Sequence, residues 1–367
     1  MTEARRALRI PLTGTTPALK EEGAAIIAGA GAFVLVALVA LPLFWGESAP
    51  IAGPGSLSQF TAIAGGVVAL IAYPVGRLWR REGLTPLSAP GRVERDRTSG
   101  VDVFDTIAIA VAHAVIALLL WLVLGAVLAD AFQGATVYFL SAVALAAALA
   151  GVTGYAVFLS ASGMDILRLS TVLAVFAVIG ILAAMLSAPD PDWWKLHLSA
   201  LGMTHSISSL SFNLTLIVAG VIVTAIARYA TDTREVPDER RRAGLVRARV
   251  CLILIGVLLA GVGVFPLTVS QILHNVSAVG MVIVFALLVF WVRPALPQAP
   301  AAFFVLGYVF FATIVAVLLF FVVGYYVLTA AELVAGVLVF SWLIVFLRVS
   351  GAAQRSVPAA KDGLAAA

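Results

Sequence analysis

Residues 301–347 read AAFFVLGYVFFATIVAVLLFFVVGYYVLTAAELVAGVLVFSWLIVFL, and Glu332 is the only charged side chain among them. The stretch holds two apolar runs, 301–323 and 328–347, separated only by Gly324-Tyr325-Tyr326-Val327. About 20 apolar residues carry an α-helix across a hydrocarbon core of ~30 Å, where every backbone polar group must be paired within its own segment. The two runs therefore predict a tight hairpin of membrane-crossing helices. Working outward, the same pattern recurs at 23–45, 58–78, 103–129, 135–159, 169–188, 205–227, 250–268 and 272–292, which predicts an all-α polytopic bundle of about ten spans.

Composition agrees. The chain is 62% hydrophobic and 11% charged, with a mean hydropathy of +1.09. A soluble domain carries about 25% charged residues, so this chain cannot coat a water-facing surface. Abundant Gly and Ala suit closely approaching helices. The single cysteine, Cys251, excludes a disulfide framework and a cysteine-based metal site. A net charge of +4 is no nucleic-acid signal here, because the basic residues sit in short connections where they set topology. The preference for Arg over Lys, with the Ala content, suggests a bacterial source and its inner (plasma) membrane. The polar stretch before Gly23 does not fit a signal peptide, and the first run is read as a retained helix.

Placing the N-terminus inside puts Arg5, Arg6, Arg9 and Lys20 on that side. It also puts there Arg77, Arg80, Arg81, Arg92, Arg95 and Arg97, then Arg168, then Arg228, Arg234, Arg240, Arg241, Arg242, Arg247 and Arg249. Arg293, Arg348, Arg355 and Lys361 follow, so that of the 23 Lys and Arg residues only Lys195 falls outside. The positive-inside rule thus predicts that both termini are cytoplasmic. The resulting organisation is a tail at 1–22, four spans at 23–168, six spans at 169–348 and a second tail at 349–367.

Polar side chains are expensive at membrane depth and mark candidate sites. They collect on the predicted outer side of the second half. Asp190, Asp192 and His197 lie between the fifth and sixth spans; His205, Ser206, Ser209 and Asn213 open the sixth; His274 and Asn275 open the eighth; Glu332 opens the tenth. Asp190, Asp192, His197, His205, Asn213, His274, Asn275 and Glu332 form the predicted ligand pocket. Taken singly, each also has a bland account: an outer-leaflet side chain can snorkel to the headgroups, and serine can bond back to its own helix. His113 falls near the middle of the third span, where a hydrogen bond to a neighbouring helix and a proton relay are both open readings. Its depth differs from that of His205 and His274, which disfavours a haem held by two axial histidines. No P-loop, H-E-x-x-H or G-x-S-x-G motif occurs, and no regular Arg series marks a voltage sensor.

The stretch Trp193-Trp194-Lys195-Leu196-His197-Leu198-Ser199-Ala200-Leu201-Gly202, followed by Ser211-Phe212-Asn213, resembles the first motif of a bacterial domain-of-unknown-function membrane family of the DUF998 type. Gly263-Val264-Phe265-Pro266 with His274, and Glu332 early in the last helix, resemble its remaining marks. The resemblance covers roughly residues 169–348. It implies a six-helix module working at the outer leaflet, and a similarity to the eukaryotic FRAG, DRAM and Sfk proteins, which are linked to lipid remodelling, lipid asymmetry and trafficking.

Three functions follow in order. The first is a protein that binds or organises membrane lipid, or serves as an accessory to other membrane subunits. The second is a membrane-embedded lipid hydrolase or acyltransferase, with His205, His274, Glu332 and Ser209 as candidate catalytic groups and His205 and His274 as candidate ligands for zinc. The third is a proton-coupled permease using His113 and Glu332.

Overall fold

The computed structural model describes residues 17–83, 100–163, 166–204, 206–231, 233 and 236–355. Among them are ten helices, each long and apolar enough to cross a membrane. They are α1 (Pro17–Leu43), α2 (Leu57–Gly83), α3 (Gly100–Ala131), α4 (Phe139–Ser162), α5 (Ile166–Leu186), α6 (Ile207–Ala230), α7 (Glu239–Val264), α8 (Gln271–Trp291), α9 (Ala301–Val322) and α10 (Leu328–Arg355). The chain is a multi-pass membrane protein, as the apolar runs predict.

Where helix limits differ from the runs, local chemistry supplies the reason. α7 begins at Glu239, well before the apolar run at 250. The Asp238 side chain caps it by accepting the Arg240 backbone N–H at 3.1 Å, and Glu239 suits the positive end of the helix dipole. The Arg-rich turns that follow are therefore helical and extend past the apolar segment. At its other end α7 stops at Val264, short of the expected 268, because Pro266 forces Phe265 out of the helical region. Pro17 begins α1 ahead of Gly23, as proline in a first helical turn does. The fourth run loses its first residues to β2 (Thr136–Tyr138), which pairs antiparallel with β1 (Ser48–Pro50) and ties the α1–α2 and α3–α4 connections together. The expected hairpin between α9 and α10 turns at Gly324, whose φ of 79° is open to glycine at little cost.

The first four helices pack as α1 on α4, α4 on α2 and α2 on α3. The remaining six close into a ring in which each packs on the next and α10 returns to α5. The closest joint is α6 against α7, where a Cβ built on Gly220 would lie 2.3 Å from the Gly256 carbonyl oxygen. Only small residues allow such an approach. The joint between α8 and α9 is the sparsest in the ring, and α9 is the least buried of the ten helices. What contact it has lies toward one end, where Phe290 meets Tyr308 and Phe311, and where Trp342 stacks on Phe303 with Phe285 edge-on.

α3 joins the two groups by packing on both α5 and α6, and one apolar core runs from Tyr73 and Ile109 through Phe176, Ile222 and Ile255 to Trp342 and Phe346. The junction also holds an ion pair between Arg228 of α6 and the buried Asp105 of α3, with the Phe104 ring beneath the guanidinium.

Side-chain contacts define the two ends of the bundle. Glu22 meets Tyr155, Glu21 meets Ser162 and Asp105 meets Arg228, which sets the starts of α1 and α3 beside the ends of α4 and α6. This end carries Arg77, Arg168, Arg228, Arg249, Arg293 and Arg348, and is the basic end. Lys195 lies at the opposite end, with the β1–β2 pair and the site described next.

Candidate functional site

Between α5 and α6 the chain makes two short 3₁₀ turns, Trp193–Lys195 and Leu198–Gly202, at the end of the ring away from the basic residues. The second turn is held from three sides. Glu332, in the second turn of α10, accepts the backbone N–H groups of Leu198 and Ser199, as a capping carboxylate does at a helix start. The Ser199 hydroxyl lies 3.0 Å from Nε2 of His274, and both residues are buried. Asn213 of α6 donates its side-chain N–H to the Gly202 carbonyl at 3.1 Å.

His274 sits in the first turn of α8 because Ser270 caps that helix and Phe265-Pro266 breaks α7 just before it. Its Nδ1 lies 2.9 Å from the Phe265 carbonyl oxygen. A carbonyl can only accept, so Nδ1 carries the proton and, in the neutral ring, Nε2 presents a lone pair. Ser199 then donates its hydroxyl proton to that lone pair. The imidazole thereby pins the 3₁₀ turn, the break after α7 and the start of α8 to one another.

His197 is half-buried beside this group. Burial, with His274 nearby, pushes its imidazole below the ordinary histidine value. Its buried Nδ1 has no hydrogen-bond partner among the described residues, nor has Thr329 Oγ1, one turn ahead of Glu332 on α10. Asn213 Oδ1 is likewise unpartnered. Buried polar atoms are paired in the great majority of cases, so three orphans at one end of a bundle mark a polar locus with capacity to spare.

The other predicted pocket residues stand apart. Asp190 and Asp192 are exposed: Asp190 accepts the Asp192 backbone N–H at 2.8 Å, and Asp192 pairs with Lys195 at 2.9 Å. Asn275 is exposed, one residue past the buried His274 on α8. Ser209 closes a capping box with Ser206 at the start of α6 and is occupied there. His205 lies outside the described residues. Among the described residues no three His, Cys, Asp or Glu side chains come together as a metal site would need, and His274 contacts a serine and a carbonyl instead. Ser199 was not among the sequence candidates; its signal was its place two residues after His197 in the Leu198-Ser199-Ala200-Leu201-Gly202 run.

His113 belongs to a different place. It is buried in α3 among α2 and α4, its Nδ1 2.8 Å from the Ile109 carbonyl and its Nε2 2.9 Å from Ser160 Oγ, with the Tyr73 ring 4.8 Å away.

The Ser199, His274 and Glu332 geometry unites the segments on which the family resemblance rests. Residues 171–349 match the DUF998 family, described as a protein of unknown function. The match begins in α5 and ends in α10, so the DUF998 segment and the six-helix ring are the same part of the chain. No curated protein and no solved structure matches the chain.

Proposed function

We propose that the DUF998 ring binds the polar head of a membrane lipid or similar amphiphile at the His197, Ser199, His274, Thr329 and Glu332 locus, with the tails in the seam between α8 and α9. One observation carries this: a buried polar cluster with orphaned His197 Nδ1 and Thr329 Oγ1 lies at the end of the helices that border the loosest seam of the ring. A head group completes the missing hydrogen bonds, and its tails meet exposed apolar side chains of the two bordering helices, Val276 and Val279 of α8 and Leu319 of α9. With the basic end in the cytoplasm of a bacterial inner membrane, the locus faces the outer leaflet. The lipid theme implied by the FRAG, DRAM and Sfk resemblance points the same way.

Native mass spectrometry of the purified protein tests this against added phospholipids. Saturable retention of a distinct lipid class is expected in the wild type. His274→Ala and Glu332→Gln should each weaken it roughly tenfold, the scale of one charge-assisted hydrogen bond. Equal retention by folded variants and wild type would remove the proposal.

A second reading is favoured by the Ser199–His274 contact itself, which is the geometry of a serine nucleophile and its general base. Two features oppose it. The Ser199 backbone N–H, a natural donor for a developing oxyanion, faces the Glu332 carboxylate, whose charge has the wrong sign. The His274 Nδ1 partner is a neutral carbonyl, which stabilises an imidazolium far less than an acid does. A fluorophosphonate probe is expected to leave Ser199 unlabelled; covalent labelling lost in Ser199→Ala would reverse the order of the two readings.

A further inference from the structure

On the lipid-binding reading of the DUF998 ring, on which this proposal rests, the atoms that await a head group restrict its chemistry. Thr329 Oγ1 belongs to a residue only 5% exposed and has no partner among the described residues. A hydroxyl both donates and accepts, so it matches a group that does the same. His197 Nδ1 is buried and unpartnered, one residue before the Leu198 N–H that Glu332 accepts. Glu332 accepts two backbone N–H groups, and a carboxylate has about four lone-pair sites, so it can take further donors. Asn213 gives its amide N–H to the Gly202 carbonyl, at the far end of the same 3₁₀ turn, which leaves its Oδ1 as a bare acceptor. The locus is richer in acceptors than in donors, and its guest must bring O–H or N–H groups.

Charge restricts the guest further. Among the described residues this end of the bundle carries Glu47, Asp130, Asp190, Asp192 and Glu332 against one base, Lys195. Lys195 is exposed, pairs with Asp192 at 2.9 Å and lies against the Trp194 ring, so its charge is engaged at the surface. The neutral His274 ring offers no positive charge either: Nδ1 donates to the Phe265 carbonyl and Nε2 accepts the Ser199 hydroxyl. A phosphate would enter beside the Glu332 carboxylate with no guanidinium or ammonium to meet it, where like charges are weakly screened.

We infer that the locus takes an uncharged, hydroxyl-rich head group of the glycerol or sugar kind. Each hydroxyl donates and accepts at once, which suits a row of acceptors broken by the Thr329 hydroxyl. Thr329 and Glu332 are three residues apart on α10, about 4.5 Å along the helix axis, a spacing that adjacent hydroxyls bridge. A phosphocholine head has no donor, and a phosphoglycerol head brings the right hydroxyls with the wrong charge.

The test uses the full chain, purified in a sugar-free detergent and moved to nanodiscs. It is offered monoglucosyldiacylglycerol, phosphatidylglycerol and phosphatidylcholine with the same acyl chains, and retention is read by mass spectrometry. The glycolipid should be held over phosphatidylglycerol by roughly tenfold, and phosphatidylglycerol over phosphatidylcholine severalfold. Glu332→Gln should shrink the first preference severalfold, because the carboxylate that opposes a phosphate is gone. Thr329→Val keeps the shape and removes the hydroxyl. It should lower glycolipid retention severalfold and leave the melting temperature of the lipid-free protein level or raised, since no internal bond is lost. Methyl glucoside separates the sources. If it displaces the glycolipid, a soluble polyol suffices; if it does not, the acyl chains are required; and both support the inference. Phosphatidylglycerol held as tightly as the glycolipid, or unchanged retention in Thr329→Val, would overturn it and leave lipid binding in place. No saturable retention of any of the three would remove both.

Discussion

His113 and His274 have the same hydrogen bonds and opposite circumstances. Each presents Nδ1 to a backbone carbonyl and Nε2 to a serine hydroxyl, at 2.8 and 2.9 Å in the first case and 2.9 and 3.0 Å in the second. His113 takes its carbonyl from its own helix, four residues back, and its serine from a neighbouring continuous helix. His274 takes its carbonyl from the break after α7 and its serine from a 3₁₀ turn between α5 and α6. The first pair joins helices that are already packed. The second gathers irregular backbone, which a membrane tolerates only where protein or a water-filled site satisfies it. The same chemistry is thus a packing contact in one half and the scaffold of a site in the other.

The junction between the halves gives the largest expected effect. Arg228→Ala leaves the buried Asp105 carboxylate without its partner and should cost about 3 kcal/mol, from the penalty for breaking buried ion pairs reduced for the partly exposed arginine. Reversible unfolding in mixed micelles measures it, and Asp105→Asn in the same background should recover part of the loss. A loss below about 1 kcal/mol would mean that the halves are held by apolar packing alone.

Two double-mutant cycles test the comparison itself. His113→Ala with Ser160→Ala, and His274→Ala with Ser199→Ala, should each show a coupling of about 1 kcal/mol, the range for hydrogen bonds between membrane helices. Only the second pair should alter amphiphile retention. Retention changed equally by both would dissolve the distinction.

The smallest effect concerns His197. Its folded pKa lies below the unfolded value, so the folded state resists protonation there. The stability tied to the neutral ring is present above the unfolded pKa of about 6.5 and is lost as pH falls through and below it. The melting temperature should therefore drop slightly more between about pH 7 and 5 in the wild type than in His197→Asn. Parallel curves would show that the ring is solvated in the folded protein.

Much of the architecture was legible because it depends on period and length alone. Ten apolar runs became ten helices, and the polar Asp238-Glu239 start of α7 was missed only because a hydropathy threshold cannot see a cap. The site was legible in part. Glu332 and His274 stood out as ionisable groups in apolar surroundings. Ser199 did not, because its role requires a turn between two spans to fold back under α8 and α10, and no local pattern encodes that return. Ser209 was the serine offered as a candidate catalytic group, yet the start of α6 needed its hydroxyl for a capping box. In the first half Glu21 and Glu22 fall in the polar stretch before Gly23, where nothing in the sequence marks them out. Their partners, Tyr155 and Ser162, lie on α4, and only the packing of α1 on α4 reveals them.

The ring itself has a mechanical consequence. Five of its six joints are closed by extensive contact, the tightest by backbone touching backbone at Gly220 and Gly256, so they resist sliding and splaying together. Strain imposed anywhere on such a clip concentrates at its one slack joint, between α8 and α9. A long-chain guest of the kind proposed above would enter there sideways from the bilayer, with its tails still in oil.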